Sequence, residues 1–147
     1  MRAATLLLWL AVATTSAWAQ TFPPDASVVA NNPGVTSLTE AEVRAYMRAE
    51  QGRWQVGEKQ SVTVVLHSTS PVTAEECAKT ARFIVNSGRP ATLQKYWLGL
   101  VFEGRAAPPI FVKSEEELIA VVRQTPGAIG LIYGTPAPAD LKVEVTP

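Results

Sequence analysis

The densest run of chemically capable side chains is His67-Ser68-Thr69-Ser70-Pro71-Val72-Thr73, which holds four hydroxyls and the chain's only histidine. It lies between an apolar, β-branched run, Ser61 to Leu66, and a helical pattern in which Ala74, Cys77, Ala78, Ala81, Ile84 and Val85 line one face. The first N–H groups of a helix have no intrahelical partners. Together with neighbouring hydroxyls they make the kind of donor cluster that holds an oxyanion. His67, Ser68, Thr69, Ser70 and Thr73 are therefore the candidate anion ligands. Two helix starts compete: Ser70 as cap with Pro71 in the first helical position, or Thr73 as cap with Glu76 closing a capping box. His67 would make such a site pH-sensitive, although a loop histidine at a strand end is the commoner situation.

Other constellations read more plainly as structure. Cys77 among Ala74, Ala78 and Ala81 has the setting of a small core residue. One cysteine and one histidine exclude a His/Cys zinc cluster and an intrachain disulfide, and no cofactor is expected. Trp54, Tyr96 and Trp97 could form a stacking surface for a sugar or aromatic ligand, but their spacing favours packing. Glu115-Glu116-Glu117 could bind a cation, yet acidic residues suit the first turn of a helix. Arg44, Arg48 and Arg53 form either a basic rim for an anion or a solvated helix face. No nucleophile motif accompanies the histidine and no Gly-rich nucleotide loop is present, so the expectation is a non-enzyme. A formal net charge of zero removes the electrostatic case for nucleic acid or an anionic membrane surface.

The elements that must position these residues follow from period and punctuation. With 147 residues, 47% hydrophobic and 18% charged, the chain has the size and composition of one globular domain. Arg2, the apolar run Ala3 to Thr15 and the small-x-small series Ala17-Trp18-Ala19 predict a cleavable signal peptide over residues 1–19. That run is too short to span a bilayer; the series implies a periplasmic protein starting at Gln20, with no membrane insertion expected after signal cleavage because no second apolar run of spanning length occurs. Residues 20–26, with Pro23-Pro24, predict an extended lead-in, and residues 27–147 the domain itself. Ser27 to Ala30 is a short strand, followed by the turn Asn31-Asn32-Pro33-Gly34. Ser37 and Glu40 predict a capping box for a helix carrying Val43, Tyr46 and Met47 inward. Gly88 and Gly104 predict helix stops after the second helix and after the helical run Thr92 to Val101. Ile110 to Val112 is a strand, and Ser114 with Glu117 caps a helix that buries Leu118, Ile119 and Val122. Pro126 stops that helix and Gly127 turns the chain. Ala128 to Tyr133 carries no charge, as a strand buried on both faces would. Leu141, Val143 and Val145 alternate with Lys142 and Glu144, the period of a half-exposed edge strand. The alternation of strands with helices predicts an α/β fold, a single three-layer domain with a mostly parallel sheet.

Four segments, VVANNPGVTSLTEAEV, YMRAEQGRWQVGE (with Tyr46, Trp54 and Gly57), YWLGLVFEGRAAPP and TPGAIGLIYG, occur in an order that resembles the periplasmic phosphate ABC transporter substrate-binding proteins of the type II solute-binding class. The resemblance covers nearly all of Ser27 to Tyr133. It implies a domain equivalent to one lobe of a two-lobed clamp, a small oxyanion such as phosphate as ligand, and a protein partner completing the missing lobe. The family's binders place an Arg after the strand and Ser-Gly-Thr at the helix start. Here Ser70 matches the Ser, Pro71 replaces the Gly and deletes a backbone donor, Val72 replaces the Thr, and Leu66 or His67 stands at the Arg. The resemblance thus implies weak binding at this loop or, alternatively, a non-catalytic envelope interaction module that has lost ligand binding. An exposed apolar patch beside Ser70 would favour the module. A concave cluster of N–H, hydroxyl and Arg groups would favour the binder.

Overall fold

The computed structural model describes residues 22–147, so the expected signal peptide and its cleavage site lie outside the described residues. Ten elements follow one another: β1 (Ser27–Ala30), β2 (Ser37–Thr39), α1 (Glu40–Met47), β3 (Thr63–His67), α2 (Ala74–Val85), α3 (Pro90–Phe102), β4 (Ile110–Val112), α4 (Glu115–Gln124), β5 (Ala128–Ile132) and β6 (Lys142–Thr146). The six strands form one sheet in the order β2-β6-β1-β5-β3-β4. Three of its neighbour pairs, β2–β6, β3–β4 and β3–β5, are parallel, and β1 runs antiparallel to both β5 and β6.

Strand periodicity sorts the core into two layers of side chains. Val28, Val64, Leu66, Ile129 and Leu131 join one cluster with residues of α1, α2 and α3, among them Met47, Phe83 and Trp97. Val29, Val65, Ala128 and Ile132 join the other with Leu118, Ile119 and Val122 of α4. Successive strand residues point to opposite faces, so the sheet lies between three helices and one, giving the expected three-layer α/β arrangement. Every residue of β5 is buried, as its uncharged sequence predicts. Gly130 lets α4 sit close: a Cβ there would lie 3.0 Å from Leu118 Cδ2.

Several boundaries differ from the sequence reading. Ser37 does not cap α1; it belongs to β2, and the cap is Thr39. Thr39 Oγ1 accepts the Glu42 N–H at 3.1 Å while Glu42 Oε2 accepts the Thr39 N–H at 2.8 Å. The box is therefore one turn-fraction later, because pairing with β6 extends the backbone through Ser37–Thr39. α2 ends at Asn86 in the left-handed conformation, φ 55°, rather than at Gly88. α3 starts earlier than Thr92, with Pro90 in its first turn, where a missing N–H costs nothing. Ser114 caps α4 through the Glu117 N–H, but the Glu117 carboxylate takes the Lys113 N–H instead of returning to Ser114. β6 is not an edge strand: it pairs with both β1 and β2, and the edges are β2 and β4. The lead-in contains a turn closed by the Ala26 N–H to the Pro23 carbonyl at 3.1 Å, and it packs on α2 through Phe22 against Phe83 and through the Lys79–Asp25 ion pair.

Candidate functional site

β3 leaves the sheet at His67, and its ladder with β4 continues one step further through the Ser68 N–H, which donates to the Val112 carbonyl at 2.7 Å. The chain then turns through Ser68–Val72 and enters α2. Of the five candidate ligands of the sequence reading, Ser68, Thr69 and Ser70 lie on this loop, His67 is the last residue of β3 before it and Thr73 the N-cap of α2 after it. Their polar groups, however, are largely bonded to one another. Ser70 Oγ and Thr73 Oγ1 are 2.9 Å apart, the Ser70 N–H donates to Thr73 Oγ1 at 3.2 Å, and the Thr73 N–H donates to Ser70 Oγ at 3.3 Å. Thr73 Oγ1 donates to the Ser68 carbonyl at 2.5 Å. Thr69 Oγ1 accepts from Gln94 Nε2 of α3 at 3.3 Å.

Thr73 is thus the N-cap residue, as one of the two expected starts has it, but its side chain makes no capping bond and Glu76 closes no box. Its hydroxyl is drawn back into the loop, and at 5% exposure it is buried. The first turn of α2 carries Glu75 and Glu76, which place negative charge at the end where the helix dipole would draw an anion.

His67 is 9% exposed and its Nε2 has no hydrogen-bond partner in the protein. Burial pushes its pKa below the usual histidine value, against the opposing pull of the Glu115 and Glu76 carboxylates. It is neutral near neutral pH and adds no positive charge to the loop. Cys77 Sγ lies against the His67 carbonyl at 3.4 Å, buried, with its thiol pushed up by burial. It is a core residue, as its alanine neighbours suggest.

The three arginines of the sequence reading are elsewhere. Arg44 Nε donates to the Phe83 carbonyl at 3.1 Å, and Arg48 Nη1 to the Ile84 carbonyl at 2.5 Å. Both serve the last carbonyls of α2, whose 12 residues separate them from Thr73 by roughly 18 Å of helix. Arg53 Nη2 reaches the Lys59 carbonyl. None of the three forms a rim to the Ser68–Thr73 loop. The aromatic residues are packed as their spacing predicts. Trp54 is buried against Tyr46 and donates from Nε1 to the Gly127 carbonyl at 2.9 Å, and the Tyr96 hydroxyl donates to the Arg48 carbonyl at 2.6 Å. Trp97 is buried.

Behind the loop a cavity of about 10 Å³ lies among His67, Thr69, Cys77, Thr80, Leu93 and Trp97. That is room for about one water molecule and too little for an oxyanion. Sequence reasoning named Glu115 only as part of an acidic first helical turn and missed its partners. Its carboxylate accepts the backbone N–H groups of Tyr133, Gly134 and Thr135, and its charge reaches His67. The acidic run Glu115–Glu117 was the only local signal; the donors lie far along the chain.

Several solved structures with a similar fold are phosphate-binding proteins. An ABC-type phosphate transport receptor from Vibrio cholerae matches with a TM-score of 0.52 and 19% identity, over 82% of this chain and 45% of that one. A phosphate-binding protein from Stenotrophomonas maltophilia matches with a TM-score of 0.58 and 16% identity, over 82% and 38%. A putative phosphate ABC transporter substrate-binding protein with bound phosphate from Clostridium perfringens matches with a TM-score of 0.51 and 17% identity, over 82% and 44%. The chain has the fold of a lobe-like part of these receptors. It spans less than half of their length. No protein-family model matches the chain, and no curated protein does. Among the described residues no helix is long and apolar enough to cross a membrane, and no group of acidic, His or Cys side chains could hold a metal ion.

Proposed function

We propose that this chain is an exported solute-binding-protein-like domain that takes phosphate or a related oxyanion weakly at the outer surface of the Ser68–Thr73 loop. The observation that carries the reading is a parallel strand, β3, delivering that hydroxyl-rich loop onto the N-terminus of α2 in a fold similar to phosphate receptors. Ligand contacts would come from the first-turn N–H groups and from Ser68, Thr69, Ser70 and Thr73, at the expense of bonds these hydroxyls now make to one another. His67 would border the site as a neutral group. Binding rather than catalysis suits this loop, which pairs no nucleophile with a base. Export rests on the Arg2, apolar and Ala17-Trp18-Ala19 series.

A complete oxyanion site has a guanidinium and an unbroken set of backbone donors. Lacking one of each, this one is expected to be weaker by roughly 3–6 kcal/mol, taking two charge-assisted bonds lost. That is roughly two to four powers of ten in affinity. Calorimetric titration of the mature protein with phosphate tests the reading: weak heat that disappears in Ser70→Ala is expected. Tight binding unaffected by Ser70→Ala would overturn the site assignment.

A second reading is favoured by one observation. Val72, 85% exposed, stands beside the self-bonded Ser70–Thr73 pair and presents apolar surface where a ligand donor is expected. On that reading the loop docks another protein that completes the missing lobe, and the phosphate titration gives no heat.

A further inference from the structure

α3 is apolar on the wrong side as well as the right one. Leu93, Trp97 and Leu100 face the core, while Leu98 and Phe102, one turn apart on the outer face, are 57% and 82% exposed. A helix that is apolar all round is normally covered. Beside it, between α3 and the edge strand β4, runs a groove of about 750 Å³ lined by Lys95, Leu98, Val101 and Phe111 and, at one end, by Ser68 and Thr69 of the candidate loop. Phe102 stands outside the residues that line this groove, one turn beyond Leu98.

The charges on α3 say what covers it. Within Pro90–Phe102 the only charged residue is Lys95, and the next is Glu103 at the C-cap. Lys95 and Glu103 lie four residues on either side of Gly99. A Cβ on Gly99 would meet nothing within 4 Å, so the surface there is open to close approach. If two copies of α3 cross antiparallel about a two-fold axis at Gly99, Lys95 of each copy falls beside Phe102 and Glu103 of the other. Phe102 of each copy then enters the groove of the other at the level of Lys95 and Leu98. One self-complementary patch thus supplies both knob and hole, and both members of a cross-copy ion pair, as an isologous interface requires. A cation over the Phe102 ring adds to the fit. Glu103 already pairs with Arg105 at 3.2 Å, but both side chains are well exposed, so this bond holds Glu103 only weakly.

We propose that the α3 outer face with the α3–β4 groove is a homodimer interface, and that its occupant is a second copy of this chain. The apolar residues and the opposite charges that meet there belong to α3 and β4; Ser68 and Thr69 line one end of the same groove, so the dimer test is run in phosphate-free buffer and repeated with phosphate, and the expected dimer does not depend on phosphate being bound.

Sedimentation equilibrium of the full mature chain tests it, with circular dichroism and thermal melts as fold controls. The wild type is expected to sediment as a dimer. Phe102→Asp is expected to raise the dimer dissociation constant by roughly thirtyfold or more, as loss of a buried aromatic anchor does. Phe102 is exposed in the single chain, so the fold signal should not change. Lys95→Glu and Glu103→Lys are each expected to weaken the dimer, and the double variant to restore it. A chain that stays monomeric at high micromolar concentration overturns the proposal. So does a dimer indifferent to Phe102→Asp, or one in which the double charge exchange is no better than either single change. A monomer whose groove instead takes an apolar dye, with affinity lost in Leu98→Glu, would assign the groove to a small molecule and equally overturn it.

Discussion

Glu115 Oε2 accepts the Thr135 N–H at 2.7 Å, and the same carboxylate also takes the N–H groups of Tyr133 and Gly134. Three consecutive backbone donors therefore converge on one internal anion, tying the first turn of α4 to the end of β5. Burial alone would raise the Glu115 carboxyl, but these donors outweigh it and hold it below the ordinary glutamate value. This is a filled oxyanion cradle, supplied with its occupant by the chain itself.

Removing that carboxylate should loosen the α4–β5 junction. Glu115→Ala is expected to cost about 1–2 kcal/mol by urea denaturation, after allowance for its partial exposure. Because the folded pKa is depressed, the contribution is present above the ordinary glutamate value of 4.5 and is lost as pH falls through the lower folded value. The wild type and Glu115→Ala curves should therefore converge in acid. Parallel curves down to the acid limit would refute the assignment.

His67 gives a second pH dependence, in a separate window. Its folded pKa is lowered by burial, so the unfolded chain binds the proton more readily. Stability is expected to be full above the ordinary histidine value of 6.5 and to fall as pH drops from there toward the folded value. As the chain has one histidine, His67→Gln should flatten the stability profile in that window. The same slope in both proteins would show that His67 is not the responsible group.

Within the loop, Thr73 should matter more to stability than Ser70. Thr73→Val leaves the part-buried Ser68 carbonyl and Ser70 without their partner and is expected to cost about 1–3 kcal/mol. Ser70→Ala leaves the Thr73–Ser68 bond in place and is expected to cost about 0.5–1.5 kcal/mol. Thermal denaturation of the two variants gives the order, and a larger loss for Ser70→Ala would show that the Ser68 carbonyl bond does not hold the loop.

Gly127 should be nearly irreplaceable. Its φ is +82°, and an added Cβ would lie 2.1 Å from the Ser61 carbonyl oxygen. Its own carbonyl also accepts Trp54 Nε1 and the Thr63 N–H. Gly127→Ala is expected to cost about 3 kcal/mol or more, through strain and displacement of the strand entry. A loss below about 1 kcal/mol in a denaturant titration would mean that the Ser61 segment yields freely.

Much of the core was legible, though on α2 the expected face misplaced Ala74, which is exposed, and left out Phe83, which is buried. Uncharged Ala128–Ile132 is buried throughout, Val28 and Val29 face opposite layers, and Trp54 and Trp97 pack inside. These are properties of period and side-chain type, which act locally and so are written locally. The Pro126-Gly127 turn was legible for the same reason. The candidate loop, too, was placed correctly between strand and helix, but whether Ser70 or Thr73 caps α2 was left open until the structure put Thr73 there.

What tertiary structure decided was every matter of partnership. Leu141, Val143 and Val145 alternate as an edge strand would, yet β6 is interior, because alternation reports the two faces of a strand and says nothing about its two sides. Ser37 sits well for a cap, but pairing with Glu144 claims it for β2. Arg44 and Arg48 could have lined an anion site until the fold set them at the far end of α2. Ser70 and Thr73 could have faced a ligand, and Glu115 could have faced solvent. A hydroxyl or a carboxylate takes whichever donor or acceptor the fold brings within about 3 Å, and the chain's own loop and the Tyr133–Thr135 backbone are what it brought.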